Sequence, residues 1–204
     1  MNIRKNPAAF AFLLAAGLST LTASAAGAEQ TAWKAGVAKV VITPTEPIWM
    51  AGFGSRTKPS EGVRQDIYVR ALALQDESGK TSVLATLDLA GIEREMADAI
   101  AEQCRSRFGL TRDRLVLNVS HTHSGPVAGL VLMPLYDLNA QQLEVVRRYT
   151  GALIEKTLGS IGAAIQNLAP ATLGFGQGLA GIAVNRRRVR LRSLPGPVDP
   201  DVPV

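Results

Sequence analysis

The chain has 204 residues, and its 22 Lys and Arg against 17 Asp and Glu give a formal net charge of +5. That length is enough for one domain with a sizeable core, and the single cysteine, Cys104, excludes an internal disulfide framework. Arg4 and Lys5 supply two of the positive charges and lie in a segment read below as a leader, so the remaining +3 leaves no electrostatic footprint for nucleic acid.

Residues 1–28 read as a secretory signal peptide. Arg4 and Lys5 form the positive start, Ala8 to Leu21 is apolar or small, and Ala26-Gly27-Ala28 fits a small-x-small cleavage site, with Ala23-Ser24-Ala25 as a neighbouring alternative. The apolar run is short for a membrane span. The mature chain, residues 29–204, is therefore expected to be secreted or periplasmic.

Trp33 to Ile42 predicts a first strand, ended by Thr43-Pro44-Thr45-Glu46-Pro47, because two prolines cannot both donate to a ladder. Met50-Ala51-Gly52-Phe53-Gly54-Ser55-Arg56 follows as a glycine-bearing loop. It lacks the Gly-Lys-Ser/Thr and the helix of a phosphate loop. A turn needing positive φ at glycine is its plain reading. Ile67 to Leu74 and Thr81 to Leu89 predict two strands joined by a hairpin turn at Ser78-Gly79. The second is almost continuously apolar, as in a central strand, and runs into Asp88. A carboxylate there is either a site residue or a cap for the next helix.

Ile92 to Phe108 has helical spacing, with Ile92, Met96, Ile100 and Cys104 on one stripe and Gly109 as its stop. Leu115 to Val119 is a short apolar strand. Strand, helix and strand make a βαβ unit whose parallel strands end on one edge, which puts Asp88 and His121 on the same rim. Asn139, with Gln142 three residues on, predicts a capping box opening a long helix to Leu168. Its apolar stripe is plain core, and Gly151, Gly159 and Gly162 on it weaken the helix or permit close packing. Ala171 to Gly178 predicts a further strand, and its spaced glycines lack the helix a dinucleotide fingerprint needs. Arg186 to Arg192 carries five arginines in seven residues, a solvated face or a contact for anionic lipid. The fold class is α/β: a mixed sheet with a βαβ unit and flanking helices. The chain closes on Asp199-Pro200-Asp201-Val202-Pro203-Val204, the start of what reads as another strand. That ending is expected of an incomplete chain.

The stretch that points to chemistry is Ser120-His121-Thr122-His123-Ser124-Gly125-Pro126. It holds both histidines of the chain, two residues apart at the end of a strand. If the extended backbone persists, positions i and i+2 face one side and both imidazoles enter one pocket. Imidazole suits zinc ligation and proton transfer alike. A hydrogen-bonded strand-end histidine beside a surface one is the plainer alternative.

Together these residues resemble the N-terminal catalytic domain of the neutral/alkaline non-lysosomal ceramidase family. The matching pieces are Gly36-Val37-Ala38 to Ile42-Thr43, Met50-Ala51-Gly52-Phe53, Arg70-Ala71, Asp88-Leu89, the Ser120–Pro126 motif, Asn185-Arg186 and Val198-Asp199-Pro200. The resemblance implies a zinc-dependent amidase that splits N-acylsphingosine into fatty acid and sphingosine. It implies His121 as a zinc ligand, His123 beside the metal on the substrate, Arg186 and Asn185 lining the site, and Gly52 close to the substrate. The family's further histidine, glutamate and tyrosine ligands and a serine implicated in its catalysis have no counterpart here, and Val127-Ala128-Gly129 replaces its Gly-Gly, so the resemblance implies a part of a larger catalytic domain, weakly active or inactive alone. A different metal-dependent amide or ester hydrolase, or a non-catalytic lipid-binding domain, are the alternatives this leaves. The partners implied are a sphingolipid or other lipid-amide substrate and peripheral contact with a membrane.

Overall fold

The computed structural model describes residues 33–181. The expected signal peptide, Asn185, Arg186 and the arginine run lie outside the described residues. Two units divide the chain at residue 172. Residues 173–181 of the second form neither helix nor strand.

The first unit is a five-stranded mixed sheet in the order β4-β3-β2-β1-β5. Its strands are β1 (Trp33–Val41), β2 (Tyr68–Gln75), β3 (Thr81–Leu87), β4 (Leu115–Val119) and β5 (Ala169–Ala171). Strand β3 pairs in parallel with β4, and every other pairing is antiparallel. The β2–β3 hairpin closes as its composition predicts. Gly79 adopts φ +78°, and the Asp76 carboxylate accepts from Lys80 N at 3.0 Å and from the Ser78 hydroxyl at 2.7 Å. The strand expected at Ala171–Gly178 is instead three residues, Ala169–Ala171, on the free edge of β1. Pro170 sits there without loss, since an edge strand has one side that needs no donor.

Helices α1 (Arg94–Phe108) and α2 (Ala140–Gln166) cover one face of the sheet. The stripes read from the sequence are the ones that pack. Met96, Ile100 and Cys104 of α1 and Leu153, Leu158 and Ile161 of α2 are buried against Val69, Ala71, Val83, Ala85, Leu87 and Leu115. Each fully buried Leu or Ile contributes about 1.5–3 kcal/mol before chain entropy is counted. The capping box that opens α2 is complete: Gln142 N donates to the Asn139 side chain at 2.9 Å, and Asn139 N donates back to the Gln142 side chain at 2.9 Å. Gly109, at φ +65°, ends α1 as expected.

The other face of the sheet is uncovered by any described helix. Val37, Leu72, Leu84 and Val116 lie in one register across four strands there, with Val37 66% and Val116 56% exposed. The continuous apolar composition of β3 therefore does not mean burial on both faces.

Glycines matter where the layers meet. A Cβ on Gly36 would lie 2.1 Å from the Ala164 carbonyl oxygen, and one on Gly162 would lie 2.9 Å from the Phe108 ring. Gly151 meets nothing within 4 Å. Gly36→Ala is therefore expected to destabilise the fold by about 1–3 kcal/mol. Gly151→Ala is expected to stabilise it by about 0.5–1 kcal/mol. Chemical denaturation of both variants beside the parent checks the pair.

Burial pushes the Cys104 thiol up to about 11 from an ordinary 9.0. A folded state that holds this proton more tightly is favoured below the unfolded pKa and loses that advantage as pH rises towards 11. Native Cys104 should resist iodoacetamide at pH 8 and react once denaturant is added. Denaturation midpoints should fall as pH climbs from about 9 to 11.

Candidate active site

Parallel pairing brings the ends of β3 and β4 to one rim. Leu87 faces Val119, and Ser120 N donates to the Leu87 carbonyl at 3.1 Å. Beyond that bond the backbone leaves the extended form, because His121 has φ +56°. A non-glycine residue held there costs about 1–3 kcal/mol and persists only where its surroundings fix it. The expected convergence of the two histidines is observed, but a left-handed turn produces it rather than strand alternation.

The fixing contact is local. The Nδ1 of His121 lies 2.6 Å from the carbonyl oxygen of Ala90, in the loop after β3. A carbonyl only accepts, so Nδ1 carries the hydrogen, and in a neutral ring the lone pair is then on Nε2. That Nε2 is 3.4 Å from the Nε2 of His123, with ring centroids 5.0 Å apart and planes at 71°. The separation is long for an N–H···N bond. The free lone pair on His121 Nε2 thus fits one ligand position of a zinc site, with the His123 nitrogen close beside it. Among the described residues no group of three or more His, Cys, Asp or Glu completes it.

The glycine loop is stitched to the histidine turn by backbone. Ala51 N donates to the Gly125 carbonyl at 2.9 Å and Val127 N to the Trp49 carbonyl at 2.8 Å, around an antiparallel bridge between Met50 and Pro126. Gly52, at φ +101°, donates its N–H to the Tyr136 hydroxyl at 2.8 Å. Any Cβ at this position would lie 2.4 Å from the Cγ of His123. So Gly52 supplies the positive φ expected of a glycine turn, and its missing side chain lets the His123 ring pack against the backbone. Phe53 meets the same ring edge-on at 4.9 Å. Beneath the two loops Ile48, Trp49, Ala51, Ala90, Val127, Tyr136 and Val146 form a second buried cluster.

Asp88 does not cap the next helix. Its carboxylate accepts from Tyr68 N at 2.9 Å and pairs with Arg70 at 3.0 Å, so it satisfies a free backbone donor at the start of β2. The residue before α1 is Glu93, whose carboxylate accepts from Leu130 N at 2.8 Å rather than capping the helix. A Cβ on Gly129 would strike that Glu93 side chain. The glycine that follows Val127-Ala128 is favoured by its backbone, at φ +58°, as well as by this contact.

The sequence profile of the "neutral/alkaline non-lysosomal ceramidase, N-terminal" family matches residues 33–193. The chain belongs to this family. It is 25% identical over 132 residues to a neutral ceramidase of Drosophila pseudoobscura pseudoobscura, covering 63% of this chain and 18% of that protein. It is 24% identical over 116 residues to the neutral ceramidase of Drosophila melanogaster, covering 55% and 16%. Two solved structures, a "ceramidase complexed with C2" and the neutral ceramidase of Pseudomonas aeruginosa, share its fold at a TM-score of 0.56 and 21% identity, over 69% of this chain and 22% of theirs. The chain thus spans under a fifth of the length of these curated relatives.

Within this ceramidase-family domain, sequence reasoning gathered His121, His123 and Gly52 and missed what holds them: the Ala90 carbonyl, Phe53, the Tyr136 hydroxyl and Arg56. The Arg56 guanidinium donates through Nη2 to the His123 carbonyl at 2.8 Å and lies 5.4 Å from the Phe53 ring centroid. An arginine three residues after Phe53 carries no pattern that marks such a contact. Gly52→Ala combines a disfavoured φ with an intruding Cβ. It is expected to cost about 1–3 kcal/mol and to displace the His123 ring. Thermal melting and the His123 side-chain NMR resonances check it, and an unmoved His123 would contradict the packing described.

Proposed function

We propose that this domain carries part of the centre of a zinc-dependent amide hydrolase of the ceramidase type, with a lipid amide such as N-acylsphingosine as substrate. The observation that carries the reading is the pair of Nε2 atoms facing each other at 3.4 Å, one of them fixed by the Ala90 carbonyl. In this reading His121 holds the metal through Nε2, and His123 sits beside it to contact the substrate carbonyl. Bound zinc would supply a Lewis acid and lower the pKa of a coordinated water. What the chain itself supplies is orientation. Ala90 sets the tautomer of His121, a carbonyl partner of the kind that raises ligand basicity and fixes the ring. Gly52 and Phe53 hold the His123 ring against it, and Arg56 fixes the His123 backbone. Asn185 and Arg186, outside the described residues, are proposed to line the substrate.

Export to the periplasm or the cell exterior is proposed on residues 1–28. Among the described residues no helix is long and apolar enough to cross a membrane. Peripheral contact with a membrane through Arg186–Arg192 is likewise a proposal on sequence.

Titration of the metal-free 204-residue chain with zinc tests the reading directly. One equivalent is expected to bind, with His121→Ala weakening it at least about 10-fold and His123→Ala weakening it less. Zinc affinity unchanged in His121→Ala would overturn the assignment of the ligand. Equal losses in the two variants would make His123 a ligand rather than a substrate contact.

A further inference from the structure

Beside the histidine turn lies a cavity of about 800 Å³, lined by parts of the segment between Thr43 and Ile67, Asp66 not among them, and by Thr122, Ser124 and Pro126. His121 and His123 are not in its wall, although Thr122 and Ser124 flank His123. The cavity is therefore reached from the turn through Arg56, which lines it and also donates to the His123 carbonyl.

The charges of this cavity do not cancel. Its wall holds two carboxylates, Glu46 and Glu61, and both are taken: Glu46 pairs with Arg148 at 3.0 Å and Glu61 with Lys58 at 2.6 Å. Arg56 and Arg64 in the same wall have no carboxylate within 4.0 Å among the described residues. The Nε of Arg56 is buried and has no acceptor. What the cavity meets is the guanidinium charge of Arg56, which no carboxylate offsets, and charge-assisted bonds from such a group to an entering acceptor are the strong ones. Hydroxyls of Ser55, Thr57, Thr122 and Ser124 add neutral donors around it. Ile48, Met50 and Val63 supply an apolar flank.

We propose that this cavity binds an oxyanion, a carboxylate or phosphate group on a small molecule, through Arg56 with Arg64 as the second cation. The planar fork of arginine suits two oxygens of one such group. Because Arg56 also holds the His123 carbonyl, occupancy of the cavity would be felt at the histidine turn. The anion can come from the amide ligand itself, as in an N-acyl amino acid, or from free phosphate. The inference does not need the domain to hydrolyse anything.

The test is calorimetric titration of the 204-residue chain with N-lauroylglycine, its methyl ester and inorganic phosphate. The acid is expected to bind at least about 10-fold tighter than its ester. Arg56→Gln should abolish that preference and Arg56→Lys should keep part of it. Arg64→Gln, at an exposed position, should weaken the acid several-fold even if the Arg56 variants do not fold. Tight acid binding that phosphate does not displace supports the site with the anion as part of the amide ligand. Saturable phosphate binding that competes with the acid supports it with a free oxyanion. Equal affinity for acid and ester, no saturable binding of either anion, or a preference for acid unchanged in both Arg56→Gln and Arg64→Gln would overturn it.

Discussion

The structure of the rim depends on one hydrogen bond, from Nδ1 of His121 to the carbonyl of Ala90 at 2.6 Å. It ties the loop that follows β3 to the turn that follows β4, so it closes the open end of the parallel pair. It also makes a strained backbone useful. The positive φ of His121 would be a cost without return if the ring were free. With the ring anchored, the turn directs Nε2 away from the sheet and towards His123. Two backbone bonds at Ala51 and Val127 then bring Gly52 and Phe53 against the second imidazole. The buried cluster around Trp49 and Tyr136 gives both loops a floor.

Much of the fold was legible because period and punctuation agree. The strand at Leu115–Val119 is a short apolar run between charge and Gly-Pro, and the helices carry clear stripes with a capping box and a glycine stop. The parallel β3–β4 pairing follows from the helix between them, since a crossover of that length cannot make a hairpin. The segment after α2 was less legible. Alternating glycines and hydrophobics at Ala171–Gly178 imitate a strand, whereas edge pairing to β1 ends at Ala171.

The candidate site was legible in its residues and not in its supports. His121 and His123 are the only histidines, so their convergence was easy to expect. The reason for it, a left-handed residue at His121, is invisible in a sequence that offers no glycine or asparagine there. Asp88 shows supports that the sequence hides. A carboxylate at a strand end reads as chemistry, yet its neighbours Tyr68 and Arg70, adjacent only across the sheet, use it for backbone satisfaction and an ion pair. Backbone acceptors such as Ala90 leave no trace in residue identity at all.

Membership of the ceramidase family and this geometry point the same way, and the anchored tautomer of His121 is where they meet. The most direct measurement is long-range ¹H–¹⁵N correlation NMR of the histidine rings in the metal-free chain, with both imidazoles neutral. The account predicts that His121 carries its hydrogen on Nδ1, with an unprotonated Nε2. A neutral His121 protonated on Nε2 would contradict it, because the Ala90 carbonyl would then have no donor and Nε2 no lone pair for a metal.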